Sequence, residues 1–189
     1  MKLILASASP RRAELLRQMG LKFEIKSVDI DESILLGEQP RAYVSRLAKE
    51  KARAGKFLYP QVDVLVLGSD TSVIIDDQIL GKPVDKQHAT NMLNALSGRT
   101  HVVMTAVAVI GKTEQCVITE SYVTFDTINQ AEMDWYWSTG EPKGKAGAYA
   151  IQGFGAIFVR HVEGSFSGVM GLPIYETHQL LKKEGLCAS

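Results

Sequence analysis

Val62-Asp-Val-Leu-Val-Leu-Gly-Ser-Asp-Thr71 opens on an almost continuous apolar run and closes on small and polar residues. A short, unbroken apolar run suits a strand buried on both faces, the condition of a strand with helices packed over its sheet. The pattern predicts a strand over Val62 to Leu67, with Gly68 to Thr71 at its end. Lys2 to Ala6 is a second such run, and Ser7-Ala-Ser-Pro-Arg-Arg12 follows it at once. Ser9 stands where a helix cap belongs and Pro10 suits the first helical turn, so strand, tight loop and helix start are compressed into eleven residues.

Working outward, Ala13, Leu15, Leu16 and Met19 recur at helical spacing and Gly20 is placed to end that helix. Phe23, Ile25 and Val28 suggest a second strand, and residues 29–40 have turn composition with acidic character. A long helix carrying Tyr43, Val44, Leu47, Ala48 and Ala52 comes next. Beyond the decisive run, Ser72 to Ile75 and Gln78 to Leu80 flank Asp76-Asp77 as a hairpin that delivers Gly81-Lys82-Pro83. Asp85 to Leu96 is predicted helical. Two β-rich runs from His101 to Phe125 flank a turn at Gly111 to Gln115. Ala131 to Ser138 is predicted as a helix, Gly144 to Gly155 as a glycine-rich loop, Ala156 to Val162 as a strand and Pro173 to Lys183 as the closing helix. Strands mixed with helices in this order predict the α/β class, and residues 1–189 form one domain without repeats or linkers.

Lys+Arg and Asp+Glu both number 21, so the net charge is zero and no bulk field draws the chain to nucleic acid or to an anionic membrane. Any anion site has to be local. With 46% hydrophobic and 22% charged residues the composition is that of an ordinary folded protein. Cys116 and Cys187 make no metal or redox pair, which points to a reducing compartment. The opening apolar run is cut short by Ser7, Pro10, Arg11 and Arg12, too early for a secretion signal, and no segment approaches the ~18 apolar residues of a membrane span. The expected location is the cytoplasm.

Several local patterns imitate known sites. Gly111-Lys-Thr113 resembles the tail of a phosphate-binding loop but lacks the earlier glycine, Ala106 standing in its place, and lies between strands. Gly164-Ser-Phe-Ser-Gly168 has the outline of a nucleophile elbow with Phe166 at its centre, which has no nucleophile to offer. His88, His101, His161 and His178 lack the spacing of a metal-binding helix. Trp135, Tyr136 and Trp137 are crowded on a short helix, where aromatics fill a core or a dimer contact more readily than they stack a base.

The strongest chemical signal is Ser7 to Arg12. Ser7 and Ser9, Arg11 and Arg12, and the free N–H groups of a helix start converge there on one loop, which suits phosphate. Lys51 and Lys82 add cations from two further segments. Asp29, Asp31 and Glu32 in the acidic loop, with Asp70 at the end of a buried strand, supply carboxylates. Carboxylates beside phosphate-binding cations imply a divalent metal such as Mg²⁺. Asp70 can hold that metal, activate a water, or both.

These residues resemble the Maf family of nucleoside triphosphate pyrophosphatases. Its marks are an S-x-S-P-R-R loop, a G-[AS]-D-T segment, G-K-P and a late A-Y-x-I-Q-G, found here in order at Ser7 to Arg12, Gly68 to Thr71, Gly81 to Pro83 and Ala148 to Gly153. The resemblance implies an elongated mixed sheet with helices, like that of inosine-triphosphate pyrophosphatases, with two lobes around a cleft and usually a homodimer. It implies hydrolysis between the α- and β-phosphates with Mg²⁺ or Mn²⁺. Asp70 matches the proton acceptor, with Lys51 and Lys82 beside it. Ser7, Ser9, Arg11, Arg12, Thr71 and Gln152 match substrate-binding positions, and Glu32 joins Asp70 as a metal ligand. Arg11, Thr71 and Gln152 together resemble the subgroup acting on dTTP and UTP. The alternatives are a non-catalytic nucleotide-binding regulator of septum formation and a phosphatase releasing orthophosphate.

Overall fold

The computed structural model describes residues 1–60 and 63–186. Its strands form one mixed sheet in the order β2-β1-β3-β5-β6-β7, with β4 also paired to β3. These are β1 (Lys2–Leu5), β2 (Glu24–Ile25), β3 (Val64–Ile75), β4 (Gln78–Leu80), β5 (Thr100–Ile110), β6 (Glu114–Phe125) and β7 (Val159–Glu163). Helices α1 (Pro10–Gln18), α2 (Pro40–Phe57), α3 (Lys86–Leu96), α4 (Gln130–Ser138), α5 (Phe166–Met170) and α6 (Ile174–Lys183) pack on the sheet.

β3 organises the molecule. It pairs parallel with β1 through Val64 to Leu67 and antiparallel with β4 through Val73 to Ile75, while its other edge pairs with β5 from Val66 to Ile74. Residues 68–72 of β3 therefore face a gap in the sheet, with β1 on one side and β4 on the other. This corrects the expectation that Gly68 to Thr71 ends a strand: the chain runs straight through them as one twelve-residue strand. Polar residues are tolerated mid-strand because the edge beside them carries no neighbouring strand and opens on a cavity. The start of the predicted strand at Val62 lies outside the described residues.

Alternation along β3 assigns each side chain to a face. Leu65, Leu67, Val73 and Ile75 face the side of the sheet covered by α1, α6, α3 and α4, in two apolar clusters. One holds Leu3, Leu5, Leu16, Leu67, Val107 and Leu181; the other holds Val73, Leu93, Val103, Phe125, Met133 and Tyr136. Between them the same strand face carries Ser69 and Thr71, opposite Thr105 of β5, so a polar belt separates two apolar lobes. On the opposite face, Val44, Ala48 and Ala52 of α2 pack on Ala106 and Ala108. A Cβ added at Gly68 would overlap the Ala48 carbonyl and the Ala52 amide. The absence of that atom lets α2 lie directly on β3, with Lys51 above Asp70.

Other differences are local. Ser9 occupies the N-cap of α1 with Pro10 after it, but its hydroxyl makes no capping bond; its backbone N–H instead donates to Ser7 Oγ at 3.2 Å. The second strand shrinks to Glu24–Ile25, and the strand expected from Ala156 begins only at Val159, because residues 154–158 coil into a 3-10 turn. The five-residue α5 falls on the false nucleophile elbow, capped by Ser165 Oγ accepting from Gly168 N. Gly111 N donates to Thr113 O, so that other imitation is a hairpin turn.

Candidate active site

Ser7, Ser9, Arg11, Arg12, Glu32, Lys51, Asp70, Thr71, Lys82 and Gln152 all line one cavity of about 670 Å³ over the gap beside β3. Asp29 and Asp31 do not line it. Asp31 accepts from Ser33 N, which shapes the acidic loop.

At the centre, the alternation of β3 turns Asp70 towards α2, where Lys51 Nζ donates to Asp70 Oδ1 at 2.7 Å. Both side chains are almost buried, Lys51 at 8% and Asp70 at 7% exposure, so each needs the other's charge. Ser72 Oγ donates to Asp70 Oδ2 at 3.4 Å. Lys51 also meets Glu32 Oε1 at 2.7 Å, and the second oxygen of Glu32 accepts from Lys82 Nζ at 3.1 Å. Burial pushes the Glu32 carboxyl up, but its bonds to Lys51 and Lys82 outweigh that and hold it below the usual glutamate value. The acidic loop reaches this position because α2 straps it down. Tyr43 Oη donates to Glu32 O at 2.9 Å, and Arg46 donates to Ser33 O and to Glu38. Burial, with the charges of Asp70 and Glu32, pushes the Tyr43 phenol up to about 12, so it stays a donor.

Thr71 and Ser69 turn to the other face. Arg12, the third residue of α1, donates through Nη1 to Ser7 Oγ, through Nη2 to Thr71 Oγ1 and through Nε to Gly171 O at 3.1, 3.4 and 2.9 Å. Thr71 Oγ1 lies 3.0 Å from Thr105 Oγ1, and Ser69 Oγ donates to Gly171 O. Burial lowers the Arg12 guanidinium and Arg11 adds to this, against the favourable charges of Asp70 and Glu32. Arg11 Nε donates to Met170 O at 3.3 Å, and burial lowers its guanidinium too, countered by the charge of Glu141. The two arginines thus join α1 to the Met170–Gly171 segment while their remaining N–H groups stay at the cavity wall.

Gln152 stands exposed at the far end, on the turn after Ala150. Lys145, half-buried on the same wall, has its ammonium lowered by burial and by Arg11. Lys145, Tyr43, Ser72 and Thr105 join the site without belonging to any motif legible in the sequence. Only Ser72 and Tyr43 carried a signal, lying two residues from Asp70 and on the same helix as Lys51.

A divalent cation would find hard oxygen donors here. Glu32 and Asp70 each place one oxygen 2.7 Å from the same Lys51 nitrogen, so the carboxylates are neighbours. No cluster of three His, Cys, Asp or Glu side chains suited to a metal exists among the described residues. Two carboxylates, completed by phosphate oxygens and water, match the manner in which Mg²⁺ is held beside a nucleotide.

A mixed α/β sheet whose gap holds a cationic, carboxylate-bearing cavity defines a polyphosphate-handling protein. The sequence profile of the Maf family, described as Maf-like protein, matches residues 2–184, and the chain belongs to that family. It is 52% identical over 190 aligned residues to the dTTP/UTP pyrophosphatase of Pseudoalteromonas atlantica, covering 97% of each chain. It is 49% identical to the protein of that name from Acinetobacter baylyi, over 95% of this chain and 97% of that one. The Myxococcus xanthus protein, also called dTTP/UTP pyrophosphatase, is 50% identical over 97% of this chain and 93% of its own. A crystal structure of a nucleoside-triphosphatase / dITP/XTP pyrophosphatase from Mycobacterium abscessus overlays 66% of this chain and 73% of its own, with 18% identity and a TM-score of 0.43.

Proposed function

We propose that the protein hydrolyses dTTP and UTP to the nucleoside monophosphate and pyrophosphate, a housecleaning role in the nucleotide pool. The observation that carries the reading is the convergence of four separated motifs on one cavity, with Asp70 and Lys51 in contact at its centre. Near-full-length relatives of about half identity bear the same activity in their names.

The triphosphate chain lies against Arg12, Lys82 and the N-terminus of α1, where N–H groups and a guanidinium fork match phosphate oxygens. Asp70 accepts the proton of a water whose oxygen attacks the α-phosphorus. The bond from that phosphorus to the bridging oxygen of the β-phosphate breaks, and pyrophosphate leaves. Lys51 keeps the two carboxylates apart from each other's charge and faces the leaving oxygens once substrate loosens its ion pair with Glu32. Glu32 and Asp70 would hold Mg²⁺ or Mn²⁺, which when bound neutralises phosphate charge as the transition state forms. No covalent nucleophile is required. At the other end Gln152 offers an acceptor and a donor to the acceptor–donor–acceptor edge of uracil or thymine. Arg11, a donor only, suits the carbonyl at position 4 and meets an amino group in cytosine, a mismatch of ~1–3 kcal/mol.

The test is a steady-state panel of dTTP, UTP, CTP, ATP and GTP with product identification. Pyrophosphate is the expected product, with kcat/KM for dTTP and UTP about tenfold or more above the rest. Exhaustive chelation stops turnover and added Mg²⁺ or Mn²⁺ restores it. Orthophosphate as sole product makes the protein a phosphatase, and tight nucleotide binding without turnover makes it the regulator of cell division. Among the described residues no helix is long and apolar enough to cross a membrane. We place the enzyme in the cytoplasm as a homodimer, following the family likeness, with sedimentation as the check on assembly.

A further inference from the structure

Gln152 projects from a turn whose two flanks are held by one hydrogen-bonded network, buried at Tyr136 and half-buried at Glu141. Glu141 follows α4, and its carboxylate accepts three bonds: from Phe154 N to Oε2 at 2.9 Å, from Gly155 N to Oε1 at 2.9 Å, and from Tyr136 Oη to Oε1 at 2.8 Å. Tyr136, fully buried, takes its own bond from Ala150 N at 3.1 Å. The amides on both sides of Gln152, at Ala150 and at Phe154–Gly155, are thereby tied to one carboxylate and one phenol. The sequence is cut to fit this network. A Cβ at Gly153 would overlap the Glu141 carboxylate, and one at Gly155 would come within 2.6 Å of Tyr136 Oη. Glu141 also acts on the other end of the base site, since its charge favours the ionised Arg11 guanidinium.

We infer that Glu141 is a positioning residue for base discrimination: with Tyr136 it clamps the Ala150–Gly155 turn so that Gln152 meets the base edge in one orientation, and it balances Arg11 opposite. The inference rests on the dTTP/UTP reading above and goes beyond it, because Glu141 lies behind the turn and contacts backbone. The physical basis is preorganisation. An exposed amide on a free turn can rotate to suit cytosine as readily as uracil, whereas an amide on a fixed turn leaves the wrong base with unpaired groups. A carboxylate is required for three simultaneous donors. A glutamine of the same size offers one acceptor oxygen and would turn an NH₂ group towards an amide N–H.

The test compares wild type, Glu141→Gln and Tyr136→Phe on dTTP, UTP and CTP, with inhibition by inorganic tripolyphosphate as a probe that has no base. In Glu141→Gln the preference for dTTP and UTP over CTP should fall from about tenfold or more to about threefold or less, through a raised KM for dTTP and UTP. The inhibition constant of tripolyphosphate should stay the same, and kcat should change by less than about threefold. Tyr136→Phe keeps the buried ring and loses only the Oη bonds, so it should shift the ranking in the same direction by less. It carries the test if Glu141→Gln does not fold. A folded variant with the wild-type base ranking overturns the inference, as does an equal loss on every nucleotide together with weakened tripolyphosphate inhibition, which would mark a purely structural role. A wild type indifferent to base overturns the dTTP/UTP reading instead.

Discussion

At the Asp70 end of the cavity, a strand, a helix and two loops each contribute a charged side chain, and those groups contact one another directly: Asp70 on Lys51, Lys51 on Glu32, Glu32 on Lys82. At the Gln152 end the cavity is lined by a neutral, exposed side chain, and the order lies behind it, in backbone amides held by Glu141 and Tyr136. The first end is built to bear charge, the second to hold shape. Reaction and selectivity should then fail independently, since the groups responsible share few partners.

The largest expected effect tests the charged end. Asp70→Asn keeps the size of the side chain and the fold, and removes the proton acceptor and one carboxylate charge, so turnover on every nucleotide should drop by about 10²–10⁴-fold. Wild-type turnover in this variant would dissolve the division between the two ends. Arg12→Ala comes next. Losing charge-assisted contacts should cost ~1.5–3 kcal/mol in kcat/KM, equally for all bases. It should also lower the melting temperature, because Gly171 O and Thr71 Oγ1 lose a donor. A base-dependent loss would place Arg12 at the wrong end. Gln152→Ala should do the reverse, flattening the preference for dTTP and UTP by ~1.4 kcal/mol while leaving tripolyphosphate inhibition untouched. An unchanged base ranking would remove Gln152 from the pocket's reading edge.

The smallest effect concerns acid stability, and it too separates the ends. His101 is buried in the lobe behind the base end, its Nε2 2.8 Å from Tyr149 Oη, and burial depresses its pKa from 6.5 to about 4. In the unfolded chain it takes up a proton first, so the stabilisation of the fold by neutral His101 is present above 6.5 and is lost as the pH falls from 6.5 towards about 4. Each unit of that depression is worth about 1.4 kcal/mol. Glu32 is held below its ordinary 4.5, so its pairing with Lys51 and Lys82 weakens only at lower pH. Equilibrium unfolding between pH 7 and 4 should show declining stability, shallower in His101→Gln, and hydrogen exchange should quicken first around α3 and α4. A flat profile across that interval would contradict the burial of a neutral His101.

The identity of the charged end was legible in sequence, because phosphate chemistry needs particular residue types on short, punctuated motifs: Ser7 to Arg12, Gly68 to Thr71, Gly81 to Pro83. Composition and apolar periodicity likewise determined the α/β class, the long helix before β3 and the hairpin at Gly111. The run Val64 to Ile75 was not legible as one strand. Gly68, Ser69 and Asp70 look like a strand end locally, and only the pairing with β5 along their whole length, beside a gap left by β1 and β4, keeps them extended. Nor could local pattern show that Arg12 reaches Gly171, that Lys51 stands over Asp70, or that Glu141 holds the turn bearing Gln152. Those contacts join residues far apart in the chain. Short-range propensity carries no information about such partners, whereas burial leaves an unpaired charge or amide costly until a distant group meets it. Sequence alone determined which charged and polar residue types stand in the motifs; tertiary packing decided which groups face one another and how firmly each is held.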